Sequence, residues 1–427
     1  MKTRRVYKED VYKSSLVSEI SGVFCDEDNI LLTFKETIFF PTGGGQSCDT
    51  GIIYIDGKKY KIIEVSVRNG EIYHKVVNIE DNDSSNLNCS HIDGLGFKIG
   101  NSVSMEIDWA HRFDNMQRHC GEHILSGIMY KLYKGVNRGF HMGDDYMTID
   151  ISLENSQYDK IDWVMAEAAE LETNRVIWEN LPVISTHYDT KEEASKEPLR
   201  KELKLETDIT IVRIGSFENP SDAVACCGTH PEFSGQVGML KIYKLEQNKG
   251  MTRIYFEAGK RALKKYQSQY NAMTEISNKL SAGQEDLLEK FESMEAKNQE
   301  VRDRLFKLEK SVLADYVERI NRHLEESKSQ IYYENVEGLS LKRLQSVSKN
   351  LVKVAGSTLI VLANHDAKFV LIITSKDSSF DCANIVKNTA MSLGGKGGGS
   401  KVSAQVTFAT SKELTAFIDT ILELNKF

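Results

Sequence analysis

The chain has 427 residues, more than a single hydrophobic core serves, so two or three domains are expected, and its 41% hydrophobic content is enough to build them. A formal charge of −8 excludes indiscriminate nucleic-acid binding, although basic stretches at 131–138, 196–204, 260–265 and 342–353 can still meet a phosphate backbone locally. Seven scattered cysteines form no disulfide framework, no apolar run approaches about 18 residues, and the basic N-terminus has no apolar signal core. These features predict a soluble cytoplasmic protein with reduced thiols and no membrane span.

In chain order, short apolar runs at 30–34, 51–55, 60–67 and 71–77 alternate with Gly, Asp and Asn turns, which predicts a small β-barrel-like module over residues 1–105. Within it a segment runs from Thr37 through Pro41, Gly43, Gly44 and Gly45 to Gln46. Successive glycines let a ligand approach the backbone closely, and Thr37 and Gln46 add side chains able to hydrogen-bond a small polar group. The same residues also describe a glycine-rich turn between strands.

From Trp109 the apolar residues take helical spacing through Phe113, Met116, Ile124, Ile128 and Leu132, with Asp108 placed as N-cap. His119 and His123 ride this helix on one face, their Cβ atoms roughly 5–6 Å apart. A second helix is predicted over 160–180, and strands around 209–214, 237–243 and 252–256. In a loop between those strands, Cys226 and His230 repeat the i,i+4 relation. A thiolate with three imidazoles suits Zn²⁺, so the two pairs read as one zinc site in a domain over 106–265. Cys227 competes with Cys226 as the ligand, whereas Cys120 points to another face of the helix as a packing residue. The helix also carries HxxEH, the signature of inverted zinc peptidases, with Glu122 as general base. Completion by a loop pair rather than by a later glutamate disfavours that reading, and Glu122 is equally placed to orient a ligand.

Residues 275–320 lack proline and put Phe291, Leu305 and Val312 at one heptad position and Met294, Val301 and Leu308 at the other. Asn298 interrupts the first set, as a register-fixing polar residue does. The seam predicts a helical hairpin or a homodimerising coiled coil within a spacer over 266–330, the alternative being a single helix packed on its own domain. Strands at 357–363 and 369–374 and a helix at 412–424 complete a small α/β domain over 331–427. The fold class is α+β, with a barrel-like module, a zinc-binding α/β domain, a helical spacer and a C-terminal α/β domain.

Together these segments resemble the editing module of alanyl-tRNA synthetases and its freestanding relatives, the alanyl-tRNA editing (AlaX) proteins. The resemblance rests on a threonine nine residues before the glutamine of GGQ (Thr37, Gln46), on an MQxH…H helix (Met116, Gln117, His119, His123) and on a CGGTH segment at 226–230, in which Cys227 replaces the first glycine. The tail is similar to the C-terminal, DHHA1-like module of the same synthetases and includes the glycine-rich stretch 394–401. That stretch is no P-loop, because Ser400-Lys401 stands where Lys-Ser is required.

The resemblance covers nearly the whole chain and implies the long freestanding form. Its implied activity is hydrolysis of the ester between a wrong amino acid, chiefly serine and also glycine, and the terminal adenosine of tRNA(Ala), with Zn²⁺ as cofactor. With the editing module beginning almost at residue 1, no aminoacylation is expected. A pocket built for alanine rejects serine by only about 1–3 kcal/mol, whereas a site that hydrogen-bonds the hydroxyl rejects alanine by roughly 10⁴–10⁵. Thr37 and Gln46 are expected to make those bonds, the amides at Gly44 and Gly45 to stabilise the oxyanion, and Lys396 and Lys401 to contact tRNA phosphates. Four simultaneous protein ligands would close the coordination sphere, so the metal either takes part in hydrolysis or organises the site. A noncatalytic tRNA-binding protein with a structural zinc and an HxxEH peptidase are the competing readings.

Overall fold

The computed structural model describes residues 2–26, 29–78, 96–327 and 329–424, which fall into two compact units, 1–274 and 275–427. The first unit opens with six antiparallel strands, β1 (Ser15–Asp26), β2 (Asn29–Phe34), β3 (Gly51–Ile55), β4 (Lys58–Arg68), β5 (Glu71–Asn78) and β6 (Ser102–Ile107). They close a barrel in the order β1-β2-β5-β4-β3-β6. Along β6, Val103, Met105 and Ile107 are buried while Ser102, Ser104 and Glu106 are exposed, the period-two pattern of a strand with one face on a core. Ile20, Leu32, Phe34, Ile53 and Ile62 fill the interior.

Helix α1 (Trp109–Tyr133) follows, its first turn capped by the Asp108 carboxylate, which accepts from the His111 amide at 3.1 Å. Residues 118–129 of this helix are buried on every face, as in a helix enclosed by its own domain. Around it lie β7 (Val136–Met142), β8 (Met147–Ser152), α2 (Trp163–Trp178), β9 (Val183–Thr190), β10 (Thr207–Ile214), β11 (Asp222–Ala225), β12 (Leu240–Asn248) and β13 (Met251–Ala258). The strands form a four-stranded sheet, β12-β13-β8-β7, and a three-stranded one, β9-β10-β11. The barrel is pinned to α1 by a fully buried ion pair. Arg112 Nε donates to Asp49 Oδ1 at 2.9 Å, Arg112 Nη2 meets Asp49 Oδ2, and the other Arg112 donors take the carbonyls of Val11 and Ile38.

Helix α3 (Gly259–Leu280) leads out of these sheets, and α4 (Leu287–Glu326) carries most of the heptad segment. In the second unit, β14 (Ile331–Asn335), α5 (Leu341–Val354), β15 (Leu359–Asn364), β16 (Phe369–Ile373), β17 (Lys396–Ser400), β18 (Ser403–Thr407) and α6 (Ser411–Glu423) build a sheet in the order β14-β15-β16-β18-β17 with flanking helices. Leu313, Tyr316 and Ile320 of α4 pack into this unit with Leu344, Leu351 and Ile360. The heptad residues Phe291, Met294, Val301, Leu305, Leu308 and Val312 lie nearer the N-terminus of α4 and are exposed. No described helix is long and apolar enough to cross a membrane. Against the expectation of reduced thiols throughout, Cys25 is disulfide-bonded, while Cys48, Cys120, Cys226, Cys227 and Cys382 are free.

One titratable group is sealed in the barrel. His74 is fully buried, with Nδ1 3.1 Å from the Leu32 carbonyl and Nε2 2.8 Å from Thr37 Oγ1, and burial pushes its pKa down to about 4. Between the ordinary value of 6.5 and about 4 the unfolded chain binds a proton that the folded barrel refuses. Stability should therefore fall as pH drops through that window, by roughly 3 kcal/mol in all. Urea titrations at pH 7 and pH 4.5 should show this loss in the wild type and a smaller one in His74→Gln; equal losses would exclude His74 as its source.

Candidate metal centre and its cleft

The buried stretch of α1 presents His119 and His123 to one side, and the segment leaving β11 brings Cys226 and His230 against them. The four candidate ligand atoms all lie within 4.8 Å of one another. The three imidazole centroids are 4.6–5.1 Å apart, and Cys226 Sγ is 3.4 Å from His119 Nε2.

Each α1 histidine is oriented by a group outside the cluster. His119 Nδ1 lies 2.9 Å from Gln46 Oε1, and His123 Nδ1 lies 3.1 Å from Asp222 Oδ2, which leaves both Nε2 atoms facing the centre. His230 is buried with neither ring nitrogen hydrogen-bonded, an arrangement that calls for a partner not made by the described residues. One thiolate and three imidazoles so placed fit a tetrahedral Zn²⁺.

The Cys226 thiolate agrees with that fit, whereas a charged His123 has to release its proton before it can bind a metal. Burial opposes ionisation of Cys226, yet His119 and His123 hold its thiol well below the ordinary value. Burial likewise opposes a charged His123, but Cys226 and Asp222 raise its pKa to about 10, while burial pushes His230 down to about 4.

The structure brings Gln46, Gly44 and Gly45 to this centre and leaves Thr37 away from it. Thr37 is wholly buried in the barrel, where its hydroxyl bonds His74 and accepts from the Phe39 amide at 3.1 Å. Two of its three hydrogen-bonding sites are occupied there. The Gln46 side chain is equally committed, since Nε2 donates to Thr229 Oγ1 at 2.8 Å and Oε1 accepts from the Thr229 amide at 3.0 Å as well as facing His119. Its role in this geometry is to hold a ligand rather than to read a hydroxyl.

Gly45 sits at φ +84°, where an added Cβ would come within 2.6 Å of the Phe140 ring, and that ring stacks on His119 at 5.6 Å. An added Cβ at Gly228 would overlap the His119 ring itself. Of the vicinal cysteines, Cys226 joins the cluster and Cys227 lies exposed beside Gly44. Cys120 packs in the domain core.

The cluster opens into a cleft of about 310 Å³ lined also by Gly44, Glu122, Asn137, Phe140, Arg200 and Lys201. Glu122 Oε1 accepts from Ser126 Oγ at 2.6 Å and Asn137 Nδ2 at 2.8 Å, and Oε2 stands 3.9 Å from His123 Nε2. Asp222 belongs to no motif, and Asn137 and Arg200 fall in the basic stretches 131–138 and 196–204, whose sequence assigns them no place at the site. In the second unit, Lys396 begins the edge strand β17 and Lys401 follows its end, both exposed. The glycine-rich stretch is thus a strand here rather than an open loop.

Comparison with known proteins gives the class first. Residues 209–255 match the Threonyl and Alanyl tRNA synthetase second additional domain, and residues 328–426 match the DHHA1 domain. The chain is 30% identical to the alanyl-tRNA editing protein AlaX-L of Pyrococcus horikoshii, over 93% of this chain and 92% of that protein. It therefore belongs to the AlaX-L family of alanyl-tRNA editing proteins. It is also 27% identical to the alanine–tRNA ligase of Pyrococcus abyssi and 30% identical to that of Pyrococcus furiosus, over 99% and 94% of this chain. It spans 44% and 42% of those ligases, less than half of each.

Cys226→Ala should abolish zinc retention, and Asp222→Asn, which keeps the shape but weakens the hold on His123, should lower zinc affinity roughly 10–100-fold. Competition with a chromogenic chelator measures both. Wild-type affinity in Asp222→Asn would show that this carboxylate does not support the site.

Proposed function

We propose that the chain is an aminoacyl-tRNA deacylase that hydrolyses mischarged tRNA(Ala), chiefly the seryl ester and also the glycyl ester. The observation that carries this reading is the convergence of His119, His123, Cys226 and His230 at a cleft whose walls bear Arg200 and Lys201. Such a cleft accepts an ester joined to a polyanion. When bound there, Zn²⁺ would supply positive charge beside the ester carbonyl.

The chain's own residues do the rest. Gln46 and Asp222 fix the orientation of His119 and His123, Phe140 stacks on His119, and we assign the amides at Gly44 and Gly45 to the oxyanion. With Thr37 and Gln46 committed elsewhere, we assign the seryl hydroxyl to Glu122 Oε2, whose companion oxygen is already held by Ser126 and Asn137. Alanine would leave that carboxylate unpaired, which is how a hydroxyl-reading site spares the correct product. Such a substrate places the enzyme in the cytoplasm.

Purified zinc-loaded protein should release serine from seryl-tRNA(Ala) and leave alanyl-tRNA(Ala) intact. Glu122→Ala should narrow that selectivity by roughly tenfold or more. An intact seryl ester with zinc bound would favour a noncatalytic tRNA binder, and cleavage of peptides instead would favour the HxxEH reading.

The second unit serves to hold tRNA, with Lys396 and Lys401 as phosphate contacts, and the exposed seam of α4 pairs with a second copy. Light scattering should give a dimer mass that Leu305→Glu with Leu308→Glu reduces to a monomer. A wild-type monomer at micromolar concentration would remove the pairing.

A further inference from the structure

Arg200 lies between the one-turn helix Lys191–Ala194 and β10, its side chain only 6% exposed. Its Nε donates to Asp222 Oδ1 at 2.6 Å, its Nη2 faces Asp222 Oδ2 at 3.4 Å, and its backbone amide is tied to the Ala223 carbonyl at 2.9 Å. Nη1 has no hydrogen-bond partner among the described residues. A guanidinium cannot shed its charge, and a buried charged donor left unmatched is costly, so the arrangement persists where a ligand completes it.

Two further observations say what kind of ligand. Arg200 lines the cleft beside His119, His123 and Cys226, and Lys8, Arg138 and Lys201 line it too, against the acidic Glu122 and Asp208. Lys8 and Arg138 have acidic neighbours, Asp208 at 3.7 Å and Glu154 at 3.2 Å, whereas Lys201 forms no salt bridge among the described residues. The vacant valence therefore belongs to an anion. The same Asp222 carboxylate that holds Arg200 also holds His123. Arg200 and the candidate metal ligand His123 are thus tied through one buried carboxylate.

We infer that Arg200 receives the phosphodiester of the terminal nucleotide of an RNA 3′ end. The inference rests on the deacylase reading above: the ester to be cleaved sits on the ribose of that nucleotide, and its own phosphate is the nearest anion, one sugar away. Arg200 then acts as a ruler that places the ester at the metal cluster only when the acyl group is carried by a nucleotide. With Nε and Nη2 on Asp222, the phosphate takes Nη1, a charge-assisted hydrogen bond from a guanidinium already fixed in orientation.

The test compares two hydrolysis-resistant probes, a seryl-amide analogue of the terminal adenosine with and without its phosphodiester, binding to zinc-loaded protein. The wild type should bind the phosphorylated probe roughly ten- to a hundredfold tighter. Arg200→Gln should bring that ratio toward one, and Arg200→Lys, which keeps the charge but loses the planar fork, should recover part of it. The ratio is internal to each variant, so a partial loss of fold or zinc, which weakens both probes alike, does not imitate the effect.

A phosphate advantage that persists in Arg200→Gln, or its absence in the wild type, overturns the assignment. So does saturable, Arg200-dependent binding of inorganic phosphate alone with the affinity of the phosphorylated probe, which would mark a free-phosphate site. Because these measurements need no turnover, a failure of the deacylase reading shows itself separately, as an intact seryl ester in the tRNA assay.

Discussion

The buried pair of Arg112 and Asp49 is the constraint on which the site depends. Asp49 lies just beyond the Gly43–Gln46 turn, and Arg112 lies two helical turns before His119 on the same side of α1. Joining them fixes the register of the barrel against the helix, and that register sets Gln46 opposite His119. Every polar valence near the pair is used, since Asp49 Oδ2 also accepts from the Phe40 amide at 2.5 Å and the guanidinium takes two carbonyls besides. Burying two charges gains little net stability, but leaving one of them alone costs about 3–5 kcal/mol, so misaligned packings of barrel on helix are penalised heavily. The contribution is a choice among packings.

The same logic repeats outward. Gln46 holds His119, Asp222 holds His123, and Asp222 in turn is held by Arg200. In a low-dielectric interior these links strengthen one another, and the thiolate of Cys226 is stable there because the imidazoles around it supply the compensating charge. Ligands so placed would spend little ordering entropy on binding a metal.

Much of this was legible in the sequence where a local rule governs. The ligand pairs stood out because i,i+4 spacing on a helix has a fixed geometric meaning, and β2 to β5 stood out because their apolar runs are bounded by turns. The strands β1 and β6 did not: β1 mixes serines and Glu19 with its apolar residues, and β6, although it alternates polar and apolar residues, is a short segment whose partners β1 and β3 lie far along the chain. Thr37 has a partner the sequence does not announce: its nearness along the chain to Gln46 suggests a shared pocket, and its hydroxyl bonds His74, 37 residues away. Asp222 and Arg200 act across separations that no motif encodes. The heptad seam was visible as a pattern, yet the residues of α4 that pack in this chain, Leu313, Tyr316 and Ile320, lie C-terminal to it. The glycine stretch became a strand because Gly397 and Gly399 approach the Gln405 and Ser403 carbonyls too closely for any side chain.

Gly228 and Cys227 are adjacent yet stand in opposite circumstances. At Gly228 a single methyl would strike both the His119 ring and Gln46 Oε1, a ligand and the amide that aims it, whereas the Cys227 side chain projects to the exposed rim beside Gly44. Sequence drift is accordingly closed at one position and open at its neighbour. The departure from CGGTH falls at the position that can tolerate it, and substitutions that lengthen or shorten the rim can accumulate there without any step that passes through a damaged centre.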